Sequence, residues 1–161
     1  YDPLTQLLNR RAGIERMQNA LENAHANGTE CALLMINLDK FKPINEQQGR
    51  EAGDLVLKEI AGRMHKCVRG EDMIVRWGGD EFVIFIQAGK GKLDPEPIAR
   101  KIINNLPSPI DLHNGQQVAI GASVGASKYP ANSNDLVELI EIADQKMHQV
   151  KSSGRNDYQI A

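Results

Sequence analysis

The run Arg76-Trp77-Gly78-Gly79-Asp80-Glu81-Phe82 constrains the fold more than any other stretch, because it sets a glycine pair between two apolar, strand-forming segments. Met73, Ile74 and Val75 precede it, and Phe82, Val83, Ile84, Phe85 and Ile86 follow it. Two such runs joined through glycines predict a β-hairpin with its tip at Gly78 and Gly79. Glycines at a tip allow positive φ and close approach of a ligand to the backbone. The adjacent carboxylates Asp80 and Glu81 then have two readings: a solvated acidic turn, or a place to hold a metal ion and a polyphosphate.

The stretch from Cys31 to Leu38 is too continuously apolar for a half-exposed strand, so it reads as a central strand covered on both faces, ending in polar Asn37 and Asp39. Helical spacing of Ile14, Met17, Leu21 and Ala24 predicts a helix from Asn9 to about Ala26, stopped by Asn27-Gly28. A loop through Pro43 and Gly49 leads to a second helix traced by Val56, Leu57, Ile60, Ala61, Met64, Cys67 and Val68, with Asp54 placed to cap it. A third helix is predicted from about Pro97 to Asn105, and a strand from Gln117 to Gly125 whose small residues suit close packing on one face. The last helix, about Asn134 to Val150, ends at Gly154, with a short strand at Tyr158–Ile160 after it. This order predicts an α+β domain with a mostly antiparallel sheet and helices on its faces.

With 161 residues the chain has the length of one domain, 1–161, with a sizeable core. A net charge of −2 and a pI near 6.1 exclude a general attraction to nucleic acid or anionic membrane, so any phosphate site must be local. No apolar run approaches the length of a membrane span. Cys31 and Cys67 each lie in an apolar pattern, which predicts buried free thiols and fits the cytoplasm. The four histidines show no ligand spacing, and no phosphate-binding Gly-rich loop or nucleophile elbow is present.

The string Gly78-Gly79-Asp80-Glu81-Phe82 resembles the signature of the GGDEF domains, the diguanylate cyclases, and further matches run from Asp2 to Asn156. The resemblance implies a nucleotidyl-cyclase-like fold with a central five-stranded sheet surrounded by helices. It implies that two GTP molecules become cyclic di-GMP and two pyrophosphates with Mg²⁺ or Mn²⁺, in a homodimer whose members each supply one nucleotide. By the same likeness the metal ligands are Asn37, the carbonyl of Leu38, Asp80 and Glu81, with Glu81 the catalytic acid and Asp80 beside it. Asn37 stands where an aspartate is usual, which keeps an oxygen donor but removes a negative charge and implies reduced activity. Asp39 is a candidate to compensate, and equally a capping carboxylate.

Asn45 and Asp54 match the residues that read guanine, and they offer the donor and acceptor types its edges require. Read alone, they are a turn residue and a helix cap. Lys42, Lys151 and Arg155 match cations on the triphosphate, although basic residues also complement a helix C-terminus. Arg69-Gly70-Glu71-Asp72 matches the inhibitory Arg-x-x-Asp product site, with Arg100 as a second cation for it. The family opening matches at Asp2-Pro3-Leu4-Thr5, with Gln6 and Leu8 where Gly and Pro are usual. The chain opens as if cut from a longer signalling protein with an N-terminal sensory or regulatory domain, cytoplasmic or the cytoplasmic part of a membrane-anchored one. The other reading is a catalytically weak module that binds GTP or cyclic di-GMP as a sensor, which Asn37 favours and the intact remaining site opposes.

Overall fold

The computed structural model describes residues 1–161. Its elements, in chain order, are α1 (Arg10–Asn27), β1 (Cys31–Leu38), α2 (Phe41–Gln48), α3 (Arg50–His65), β2 (Met73–Arg76), β3 (Glu81–Gln87) and α4 (Glu96–Asn105). They continue with β4 (Ile110–Asp111), β5 (Gln117–Val118), β6 (Ala122–Tyr129), α5 (Leu136–Ser152) and β7 (Asp157–Ile160). Five strands form one sheet in the order β2-β3-β1-β6-β7. All neighbours are antiparallel except β6 and β7, which run parallel because α5 carries the chain back between them.

The apolar run Cys31–Leu38 is the middle strand, buried along nearly its whole length. Even-numbered residues of β1 and β3, such as Leu34, Ile36, Phe82 and Ile84, join Val56, Ile60 and Ile102 in the core beneath α3 and α4. Odd-numbered ones, such as Leu33, Met35, Val83 and Phe85, join Met17, Leu21, Leu139 and Met147 beneath α1 and α5. The period of two thus divides one strand between two cores. Asn9 caps α1 by accepting from the Ala12 amide at 2.8 Å, and Gly28 ends it in the left-handed region at φ 66°. Asp135 caps α5 by accepting from the Glu138 amide at 3.1 Å.

Two predicted elements differ. The stretch between Asp39 and Asp54 is not a loop: it holds the short helix α2 and the first turn of α3, which starts at Arg50, with Gly49 between them at φ 92°. Pro43 is tolerated in the first turn of α2 because amides there have no intrahelical partner. Asp54 consequently lies inside α3, a turn past its start, and caps nothing. The predicted strand Gln117–Gly125 is divided: Gln117–Val118 pairs with Ile110–Asp111 in a separate ribbon, and the sheet strand starts at Ala122. The chain breaks at Gly121, whose carbonyl accepts from the Asp39 amide at 2.8 Å and where a Cβ would come within 2.7 Å of the Asn156 side chain.

The expected close packing on the small-residue strand is present. A Cβ at Gly125 would collide with the Ala143 carbonyl and the Met147 amide of α5, so the helix lies directly on the β6 backbone. The Ser127 hydroxyl adds a hydrogen bond to the Leu139 carbonyl at 2.7 Å. Both cysteines are free and buried, and burial pushes the Cys31 thiol up to about 11. No helix is long and apolar enough to cross a membrane.

Candidate active site

Register brings the acidic tip to the end of the central strand. Asn37 lies opposite Glu81 on one side and Ser123 on the other, and the Leu38 amide donates to the Asp80 carbonyl at 3.0 Å. By strand alternation Asn37, Glu81 and Ser123 project to the α5 side of the sheet. Asn37, Leu38, Asp80 and Glu81 are therefore neighbours, although 43 positions separate Asn37 from Asp80 in the sequence. Glu81 is half-buried, and burial together with repulsion from Asp80 and Asp144 pushes its carboxyl up, against the opposing charges of Arg10 and His148.

The tip itself is braced by residues whose role the sequence does not announce. The amides of Trp77 and Gly78 both donate to the Glu81 carbonyl. Arg76 donates from Nε to the Gly78 carbonyl at 3.3 Å and from Nη2 to the Gly79 carbonyl at 3.0 Å, while Nη1 pairs with Asp2 at 3.2 Å. Asp2 is held in turn by the Thr5 amide and hydroxyl. Burial pushes the Asp2 carboxyl up, but the Thr5 hydrogen bonds and the Arg76 guanidinium outweigh it and hold it below the usual range. Arg10, the first residue of α1, stacks over the Trp77 ring at 4.1 Å. Four cationic or acidic groups of common types, Asp2, Arg10, Arg76 and Asp144, thus surround the tip, and only their positions in space reveal it.

Both oxygens of Asp39 are engaged within the fold. Its Oδ1 accepts from the Ser123 hydroxyl at 2.6 Å and from Lys151 Nζ at 3.4 Å, and its Oδ2 accepts from the Asn156 amide at 2.9 Å. The carboxylate fixes the turn after α5 to the end of β1. That turn presents Arg155, exposed and in the left-handed region at φ 67°. Lys151 and Arg155 accordingly flank Asp39, and Lys42 is exposed on α2 three residues beyond it.

Asn45 and Asp54 face a second arrangement, the α2–α3 pair. Asn45 is exposed near the end of α2 and its side chain lies over Gly53, where a Cβ would collide with its carboxamide. Asp54 is the next residue.

The Arg69–Asp72 segment forms a tight turn between α3 and β2. Asp72 Oδ2 accepts from the Arg69 amide at 3.0 Å, while Oδ1 is buried with no hydrogen-bond partner. Burial pushes this carboxyl up by more than the Arg69 amide lowers it. The Arg69 side chain is exposed, within 4.0 Å of Glu71. Arg100 is not brought to this turn. It pairs with Glu96 at 2.7 Å and reaches the Tyr158 hydroxyl at 3.3 Å, so it stands beside β7, at the sheet edge opposite β2.

The departures at the chain start have local reasons. Gln6 adopts φ 63°, a conformation glycine takes at no steric cost, and its side chain compensates by donating to the Pro3 carbonyl at 2.9 Å. Leu8 donates its amide to the Ile74 carbonyl at 3.3 Å, a bond proline cannot make.

The family model for the diguanylate cyclase GGDEF domain matches residues 1–157. The chain is 37% identical over 158 residues to the bifunctional diguanylate cyclase/cyclic di-GMP phosphodiesterase MucR of Pseudomonas aeruginosa, covering 98% of this chain and 23% of MucR. It is 34% identical to the cyclic di-GMP phosphodiesterase NbdA of the same species, covering 99% of this chain and 20% of NbdA. The solved GGDEF domain of TpbB, also from Pseudomonas aeruginosa, superimposes with a TM-score of 0.94 at 34% identity, covering 100% of this chain and 94% of that one. The chain thus spans less than a quarter of MucR and NbdA while matching an isolated GGDEF domain almost end to end. Sheet order, hairpin signature and whole-chain similarity agree, and the chain belongs to the GGDEF, or diguanylate cyclase, domain family.

Proposed function

We propose that the chain is the cyclase unit of a longer signalling protein and joins two GTP molecules into cyclic di-GMP, releasing two pyrophosphates. The observation that carries this reading is the register that sets Asn37 and Leu38 beside Asp80 and Glu81. These are hard oxygen donors, which suit a divalent cation, Mg²⁺ or Mn²⁺; the Glu81 carboxyl is raised first by burial and then by the charges of Asp80 and Asp144, which such a cation would neutralise. A bound cation would balance phosphate charge and favour ionisation of the attacking 3′-hydroxyl. Glu81 takes the proton of that hydroxyl, and Asp80 keeps the tip negative beside it. Lys42, Lys151 and Arg155 hold the triphosphate, while Asn45 and Asp54 read the guanine.

Each domain holds one GTP, so closing the ring needs two copies face to face, each 3′-hydroxyl attacking the α-phosphate on the partner's nucleotide. Incubation with GTP and Mn²⁺ or Mg²⁺, followed by chromatography, is the direct test, and a domain that leaves GTP unchanged under both ions contradicts the proposal. Asn37→Asp restores the charge that the amide lacks and should raise turnover or metal affinity. No gain in either would mean that charge at position 37 does not limit the site.

The turn at Arg69 and Asp72 is the proposed product site, where cyclic di-GMP slows the enzyme. The exposed Arg69 guanidinium is available to phosphate or a guanine edge, while Asp72 braces the turn that presents it by accepting from the Arg69 amide. Arg100 joins this site only by leaving Glu96 and Tyr158. Arg69→Ala should weaken cyclic di-GMP binding about tenfold or more, the worth of a charge-assisted contact, and leave GTP binding intact. Equal affinity of the two proteins for cyclic di-GMP in calorimetry would remove Arg69 from the site.

The sensor reading shares this site and rests on Asn37. It predicts cyclic di-GMP or GTP binding without product, so the chromatographic assay separates the two.

A further inference from the structure

Glycine at position 53 lies inside α3, where it lowers helix stability relative to alanine. Its φ is not in the left-handed region, so the backbone does not require it. What requires it is the neighbouring helix. A Cβ there would overlap the Asn45 Oδ1 and Cγ atoms, and would meet Phe41 Cζ at 3.4 Å, an ordinary contact. Only the Asn45 carboxamide occupies the space that a side chain at 53 would need.

We infer that Gly53 is a positioning residue for base specificity: the notch it leaves in α3 seats the Asn45 carboxamide beside Asp54, so the guanine-reading pair is in place before nucleotide arrives. This rests on the reading of Asn45 and Asp54 as the base-recognition pair. The two residues lie on different helices, and each helix end is anchored separately. Asn45 is held by the Gly49 amide, which donates to its carbonyl at 3.0 Å, and Asp54 by α3 itself. Their mutual placement therefore depends on where the Asn45 carboxamide lies, and that place is the notch at Gly53. A methyl group at 53 turns the carboxamide outward and leaves its donor and acceptor misaligned with the base. The triphosphate contacts, carried by Lys42, Lys151 and Arg155, are untouched.

The test is a double-mutant cycle on Gly53→Ala and Asn45→Ala, read by calorimetry with the non-reacting α,β-methylene analogues of GTP and ATP in the presence of Mn²⁺. In the wild-type background Gly53→Ala should weaken the GTP analogue about tenfold, the worth of one well-made hydrogen bond to the base, and leave the ATP analogue unchanged. In the Asn45→Ala background, with no carboxamide to displace, it should change neither. Thermal unfolding gives a second reading without nucleotide: Gly53→Ala should raise Tm in the Asn45→Ala background and not in the wild type. Failure of Gly53→Ala to fold alone, with the double variant folding, supports the inference, and failure of both overturns it. Equal losses in the two backgrounds, or an equal loss for the ATP analogue, likewise overturn it while the guanine reading stands. A wild-type domain that binds both analogues equally removes the guanine reading and this inference together.

Discussion

Glu81→Gln is expected to leave a folded domain whose cyclic di-GMP production falls by about 10²- to 10⁴-fold, the range for loss of a proton-transferring group. The amide keeps the shape and one oxygen of the side chain, so the hairpin register with Asn37 is retained. It removes the charge that, in the proposed reaction, takes a proton and helps hold metal. Stability gives an internal control with a definite sign. Burial and the repulsion of Asp80 and Asp144 raise the Glu81 carboxyl in the fold. A folded state that binds the proton more tightly than the unfolded chain gains stability as pH falls through the raised value, so ionised Glu81 opposes folding near neutrality. The variant should melt no lower than the parent at pH 7. Chromatography of the GTP reaction and a thermal scan of the same sample check both statements, and undiminished turnover would sink the role assigned to Glu81.

Gly125→Ala should produce the largest loss of stability from a single methyl group. The added Cβ meets the Ala143 carbonyl and the Met147 amide, which are backbone atoms in a helix interior and have no rotamer to change. The whole of α5 must shift away from β6. Overpacking of this kind costs about 1–3 kcal/mol and occasionally more, or roughly 2–12 °C in Tm for a domain of this length. Because α5 carries Lys151 and leads into Arg155, GTP binding should weaken as well. A scan showing the parent Tm would mean that the helix has room the geometry denies.

The hairpin, the buried central strand and helices α1 and α5 were legible because each obeys one period over a long run, bounded by glycine or a capping side chain. The segment 39–54 was not. It holds only α2 and the first turn of α3, includes a proline and is divided by a glycine, so no single period spans it. The division of the Gln117–Gly125 strand is hidden because alternation continues across Gly121 although the chain changes partners there. Within the site, Asp80 and Glu81 stand out as a pair in a distinctive string. Asp39 shows the opposite case: its partners Ser123, Lys151 and Asn156 lie 84 or more positions away, and nothing in its own neighbourhood signals that its oxygens are already taken. Arg76, adjacent to the signature, carried no local mark of its double duty.

That double duty makes residue 2 a boundary condition on the catalytic loop. One guanidinium grips two carbonyls of the Gly-Gly tip with two of its nitrogens and the Asp2 carboxylate with the third, and its planar fork cannot follow one end without dragging the other. The tip and the start of the chain are therefore joined through one side chain, a crank whose handle lies at Asp2, 74 positions from Arg76. Displacing that handle by about an ångström stretches a hydrogen bond beyond its useful length. The glycine tip beside Asp80 and Glu81 is thus held in part by a carboxylate from the far end of the sequence, through a single side chain that both ends share.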